Sequence, residues 1–450
     1  MHSALERPVA PDDVPPAFSA DRYLDDIHAT DLLRTNGKVR QVIGTVIESN
    51  GPPMAIGETA SIVYRRSEEP VLAEAVGFRD AKVLLMPLGE IGGISAGSDV
   101  VALGRPLQIG LTDALLGRVL DGLGRPIDGL GPIADATAAE VYAAPPNALN
   151  RRRITEPLGM GVRAIDGLLS CGKGQRIGIF SGSGVGKSTV LGMIARNTTA
   201  DVNVIALVGE RGKEVRDFIE RDLGEAGRKR SVVVVATSDQ PALVRIKAAY
   251  VATRIAEYFR DSGLDVMLMM DSVTRFAMSQ REVGLAIGEP TTTRGYTPSV
   301  FALLPRLLER AGTAEIGTIT ALYTVLVSGD DFNEPVADAV RSILDGHIVL
   351  SRRLAAANQY PAVDVLASVS RVMPDVVSPQ HFKAASNVRD LLATYREAED
   401  LINIGAYVSG SNPRVDLALA RNDAIRAFLR QGIHESSTFA DAERALMGLG

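Results

Sequence analysis

The run Ile179-Phe-Ser-Gly-Ser-Gly-Val-Gly-Lys-Ser-Thr189 constrains this 450-residue chain more than any other stretch. An apolar strand enters a glycine-rich loop, which passes through Lys-Ser into a helical pattern at Lys187–Arg196. Glycines let successive backbone N–H groups turn inward, and the following helix presents its free donors and partial positive charge to an anion. Such a loop cradles the phosphates of a nucleotide. Its contacts are expected from Ser183, Gly184, Val185, Gly186, Lys187, Ser188 and Thr189, with Lys187 on the β- and γ-phosphates and the Ser188 hydroxyl on Mg2+. The general pattern begins with Gly, and here that place is Ser181. A phosphate loop of this kind needs a strand before it and a helix after it, so the chain around it must be α/β.

The surroundings agree. From about 165 to 370, near-continuous apolar runs (Arg176–Phe180, Val202–Val208, Ser231–Ala236, Val266–Met270 and Thr318–Val325) alternate with helical stretches such as Glu214–Leu223 and Pro241–Arg260. Strands apolar on both faces between helices predict a mainly parallel sheet covered on both sides. Before it, Val39–Ile47 alternates as one extended segment. Ala60–Tyr64, Leu72–Val76 and Lys82–Met86 follow at regular spacing, which predicts a small β-barrel. After about 378 only helical patterns remain, at His381–Leu401 and Val415–Leu429. The expected division is a flexible arm over 1–20, a barrel over 21–100, a nucleotide-binding domain over 101–378 and a helical domain over 379–450. Arg151-Arg-Arg153 reads as a solvated corner.

Composition narrows the function. A net charge of −6 argues against a protein held on nucleic acid by general electrostatic attraction. The single cysteine, Cys171, allows no intrachain disulfide and fits a reducing cytosol. No apolar run approaches the roughly 18 residues of a membrane-spanning helix.

Two strand ends carry carboxylates. Val266-Met-Leu-Met-Met-Asp271 ends in an aspartate, which downstream of a phosphate loop is the residue that holds Mg2+ or its water shell. Val204–Gly209 delivers Glu210 and Arg211; a carboxylate there can orient and polarise an attacking water, or the two can form a surface ion pair of little energetic value.

Gly209-Glu-Arg-Gly-Lys-Glu-Val215, Met270-Asp-Ser-Val-Thr-Arg275, Arg294-Gly-Tyr-Thr-Pro-Ser299, Tyr360-Pro-Ala-Val-Asp364 and Ser368-Val-Ser-Arg371, in this order, resemble the rotary ATP synthase superfamily. Phe218-Ile-Glu220, Ala286-Ile-Gly-Glu-Pro290, Asp345–Arg352 and Asn403-Ile-Gly-Ala-Tyr407 are most similar to its flagellar type III protein-export ATPases. The similarity runs from about Gly37 to about Leu429. It implies a RecA-like central domain using ATP and Mg2+, with Glu210 as the catalytic glutamate and Arg211 facing the terminal phosphate. Tyr360 would pack on adenine, or else be an ordinary buried aromatic, and Arg371 would be an arginine finger reaching the neighbouring subunit's site, or else serve an internal ion pair. It also implies a cytoplasmic homohexamer, peripheral to the membrane through an export gate, with a stalk protein, a regulator bound to the N-terminal arm, and export chaperones and substrates as partners. The weakly amphipathic stretch Ala20–His28 is the candidate for the regulator contact. A secretion-system ATPase, an ATP synthase catalytic subunit, a hexameric nucleic-acid motor and a non-catalytic nucleotide-binding subunit are the alternatives; the presence of Glu210 disfavours the last.

Overall fold

The structure, a computed structural model, describes residues 36–64, 69–327, 331–332 and 334–449. The expected arm over 1–20 and the stretch Ala20–His28 lie outside the described residues.

Among the described residues, strands β1 (Asn36–Ile43), β2 (Val46–Asn50), β3 (Glu58–Val63), β4 (Val71–Arg79), β5 (Lys82–Pro87) and β6 (Asp99–Pro106) close into an antiparallel barrel in the order β1-β2-β5-β4-β3-β6. The segment read as one extended run over Val39–Ile47 is instead a hairpin. Ile43 pairs with Val46, and Gly44 takes the positive φ of 58° that the tight turn needs. Alternation continues through such a turn, which is why the pattern alone conceals it. Inward side chains of all six strands, Val39, Ile47, Ile62, Ala75, Leu85 and Val100 among them, fill the barrel.

The central sheet is built from β7 (Val119–Asp121), β8 (Arg176–Ser181), β9 (Val202–Val208), β10 (Ser231–Ala236), β11 (Asp265–Asp271), β12 (Thr318–Leu326), β13 (Gly346–Leu350) and β14 (Val369–Ser370), in the order β14-β13-β8-β12-β11-β9-β10-β7. All of these pairings are parallel except β13 with β14. Every residue of β9 and β10 is buried, as strands covered on both faces require. Helices α1 (Lys187–Asn197), α2 (Ala242–Asp261), α3 (Val273–Ile287) and α4 (Pro298–Leu308) belong to this layer. Three further helices, α5 (Pro379–Asn403), α6 (Pro413–Leu429) and α7 (Phe439–Met447), follow the sheet. No described helix is long and apolar enough to cross a membrane.

The arginine run is only in part a solvated corner: Arg152 and Arg153 are exposed, but Arg151 is half-buried. Arg151 donates to Ala311 O at 2.9 Å and to Glu309 O, and Arg152 donates to Ala314 O and Gly317 O, both at 3.1 Å. Together they hold the turn that leads into β12.

Buried charge joins the barrel to the sheet layer. Lys247 on α2 is fully buried and pairs with Glu74 of the barrel and with the Tyr142 hydroxyl. Burial pushes the Glu74 carboxyl up and the Lys247 ammonium down, each opposed by the charge of the other. Nearly three α-helical turns further on, Glu257 takes two hydrogen bonds of 2.7 Å from Arg310, whose third nitrogen donates to Val141 O at 2.9 Å. Both side chains are at most 2% exposed. Because a guanidinium stays charged, Glu257→Ala leaves it buried and unpaired. We expect a loss of about 3–5 kcal/mol, read as a lower urea midpoint, whereas Glu257→Leu combined with Arg310→Met recovers most of it.

Candidate active site

The carboxyl ends of parallel strands are where an α/β sheet binds ligands. Here β8, β9 and β11 deliver Ser181, Glu210 and Asp271 to one edge. Gly184 and Gly186, with φ of 78° and 90°, adopt the left-handed conformations that turn the loop's N–H groups inward. Val185 between them is 1% exposed and packs with the core side chains of α1, pinning the loop from below. Gly186 caps α1, so the loop ends on that helix's free donors.

Ser181, Ser183, Gly184, Gly186, Lys187, Ser188, Thr189, Glu210 and Arg211 line one cleft of about 660 Å³. At its floor the Lys187 ammonium lies against Asp271 Oδ1 and 3.4 Å from Glu210 Oε1. Burial alone would lower the Lys187 pKa, but the two carboxylates outweigh it and raise it. Burial, reinforced by the nearby Asp271 charge and opposed by Lys187, brings the Glu210 carboxyl to about 7. Glu210 is therefore neither a surface ion-pair partner nor a fixed anion. A carboxyl raised in this way is able to exchange a proton near neutral pH. Arg211 is different: its side chain is 78% exposed and, among the described residues, pairs with Glu214 at 3.6 Å.

Gly209, with φ of 72°, turns the chain between β9 and Glu210. A Cβ placed on it would stand 2.9 Å from Cβ of Arg275. Tyr360 lies across the loop: a Cβ placed on Gly186 would stand 3.6 Å from the tyrosine's Cε1. Tyr360 is 44% exposed, so it is not the buried core aromatic that was one reading of it. Its carbonyl accepts from the N–H of Gln431, just after α6, at 3.0 Å. The Gln431 side chain in turn donates to Gly161 O at 2.9 Å and accepts from the Arg163 N–H at 2.8 Å.

One expected residue stands apart. Arg371 is exposed, and its guanidinium donates to Leu344 O at 3.2 Å while its N–H donates to Asp345 O at 3.1 Å. Those carbonyls precede β13, whose other end, Leu350, sits beside Ser181. At about 3.3 Å per residue, Arg371 is on the order of 20 Å from the phosphate loop of its own copy.

The cleft also holds residues to which sequence reading assigned no role: Glu214, Arg221, Arg275 and Arg352. Each belongs to or adjoins a stretch already conspicuous in the sequence, and Glu214 stands four residues after Glu210, one helical turn away. Asp271 and Ser188 supply a carboxylate and a hydroxyl, the hard oxygen donors that Mg2+ takes alongside phosphate oxygens and water.

Comparison with known proteins places the chain. Residues 161–370 match the ATP synthase alpha/beta family, nucleotide-binding domain; residues 39–104 match the beta-barrel domain of the same family; and residues 377–448 match the T3SS EscN ATPase C-terminal domain. The flagellum-specific ATP synthase of Bacillus subtilis (strain 168) is 57% identical over 95% of this chain and 98% of its own. The type 3 secretion system ATPase of Xanthomonas euvesicatoria is 55% identical over 90% and 92%. The solved structure of the assembled ATPase EscN in complex with its central stalk EscO, from the enteropathogenic E. coli type III secretion system, superposes with a TM-score of 0.85 at 46% identity, over 92% of this chain and 99% of that one. On sequence, fold and site together, the chain belongs to the ATP synthase alpha/beta family, in its branch of flagellum-specific ATP synthases and type 3 secretion system ATPases.

Proposed function

We propose that this chain is a P-loop ATPase that hydrolyses Mg-ATP in a homohexameric ring, and that it energises flagellar type III protein export. The observation that carries the reading is the geometry of the cleft: a buried lysine flanked by Asp271 and a glutamate poised near pH 7, with the candidate finger Arg371 far from its own loop.

The loop backbone and Lys187 bind the triphosphate, Lys187 exchanging part of its carboxylate contact for phosphate oxygens. Tyr360 packs on the adenine. Ser188 and Asp271 would hold Mg2+, which when bound would supply neutralisation of phosphate charge. Glu210 holds the water in line with the γ-phosphate and accepts its proton, while Arg211 lies in the same cleft, facing the terminal phosphate. Arg371 of the adjacent copy completes the site by stabilising negative charge in the transition state, a contribution on the order of 10³–10⁵ in rate. A structure of a relative with its central stalk supports a stalk-like partner here as well. The remaining partners we assign are export chaperones and substrates and a regulator on the N-terminal arm. The ring is placed in the cytoplasm, peripheral to the membrane at the export gate. An injectisome ATPase is the second reading, favoured by the 55% identity to a type 3 secretion system ATPase.

Complementation tests the shared site. Arg371→Ala chains keep a complete loop and Lys187→Ala chains keep the finger. Each alone should lose ~10³-fold or more in turnover, and mixing them should restore part of it. Failure of the mixture to recover, or full turnover by a monomer in light scattering, would refute the arrangement. Gly209→Ala should displace Glu210 against Arg275, reducing turnover by ~10²-fold while nucleotide affinity changes little, as measured by steady-state kinetics beside analogue binding.

A further inference from the structure

Strand β12 lies between the phosphate-loop strand β8 and the aspartate strand β11, and its interior is apolar apart from threonines. Thr324 is fully buried, in register with Ile179 of β8 and one residue beyond the Tyr323–Met270 pair. Its Oγ1 is 2.7 Å from Asp271 Oδ1 and 3.3 Å from Met270 O. A hydroxyl has one proton, and an ionised carboxylate only accepts. The shorter contact is therefore the donated bond, and a charge-assisted one. Lys187 donates to the same oxygen. Two donors use the two lone pairs of Oδ1, and among the described residues none donates to Oδ2. Two residues along β12 the strand is fixed again: the N–H of Leu326 donates to the buried Thr274 hydroxyl at 2.8 Å, three residues after Asp271.

We infer that Thr324 is a positioning residue for the Asp271 carboxylate: by filling Oδ1 together with Lys187, it fixes the carboxylate rotation and reserves Oδ2 for the water shell of a magnesium ion. The inference rests on the reading of Asp271 as the metal-facing carboxylate. A lysine alone cannot fix this choice. Its ammonium sits on a flexible stem and engages either oxygen, and it has to turn toward phosphate when the nucleotide binds. The threonine cannot follow it, since its backbone is bonded into a strand with neighbours on both sides. Thr324 thus keeps Asp271 aligned during the exchange. Groups that orient a metal ligand in this way typically govern ~10–100-fold in metal affinity.

The test titrates Mg2+ against binding of a fluorescent, non-hydrolysable ATP analogue to the full chain, with a metal-free series in chelator. Thr324→Val keeps the side-chain shape and the strand preference but removes the donor. We expect ~10-fold more Mg2+ for half-maximal analogue binding, with metal-free binding unchanged, and recovery in Thr324→Ser. Asp271→Asn should shift the Mg2+ dependence at least as far. If Thr324→Val follows the wild-type Mg2+ curve while Asp271→Asn departs from it, the role of Thr324 is overturned and that of Asp271 stands. If neither departs, Asp271 is not the metal-facing group and both readings fall. If Thr324→Val loses metal-free binding to the same extent, or Thr324→Ser does not recover, the hydroxyl is only a structural bond and the inference is overturned.

Discussion

A buried ammonium between two carboxylates organises this molecule. Lys187 opens α1, Glu210 follows β9 and Asp271 ends β11, so their contact ties together three elements far apart in sequence. Removing a lysine from water is costly, and only the paired negative charges keep this one protonated. The Asp271 charge, together with burial, also raises the Glu210 carboxyl to about 7. Without nucleotide the lysine donates to both carboxylates, and a triphosphate would compete with them for it. The electrostatics that hold the strand ends together are the ones that later bind phosphate.

Much of this was legible in the sequence because it is local. The phosphate loop needs its glycines at fixed positions, and Gly184 and Gly186 take the left-handed conformations their spacing requires. The sheet strands read as apolar runs because both faces are covered. What escaped reading is what depends on distant partners. The hairpin at Gly44 hides in an uninterrupted alternation. Arg151 and Arg152 look solvent-bound in sequence, yet their acceptors lie some 160 residues away. Thr324 is an ordinary strand residue until the order β8-β12-β11 sets it beside Asp271. Arg221, Arg275 and Arg352 reach the cleft from three separate segments, and spacing alone gives none of them a partner.

The two ends of β13 keep the phosphate loop and Arg371 apart. At Leu350 the strand flanks Ser181 of the phosphate loop, while before Gly346 it supports Arg371 through Leu344 O. A rigid strand of fixed length keeps these groups apart within one chain. In the proposed ring, the phosphate loop and the candidate finger Arg371 are thus held at opposite ends of one strand, so the need for a neighbour would follow from the sheet.

Gln431 adds a mechanical corollary. Its backbone N–H holds the Tyr360 carbonyl, and its amide is fastened to Gly161 and Arg163, so one side chain rivets the helices after the sheet to the tyrosine lying over the loop. A joint with three short bonds has little slack. A displacement of the end of α6 is therefore passed directly to the tyrosine beside the phosphate loop.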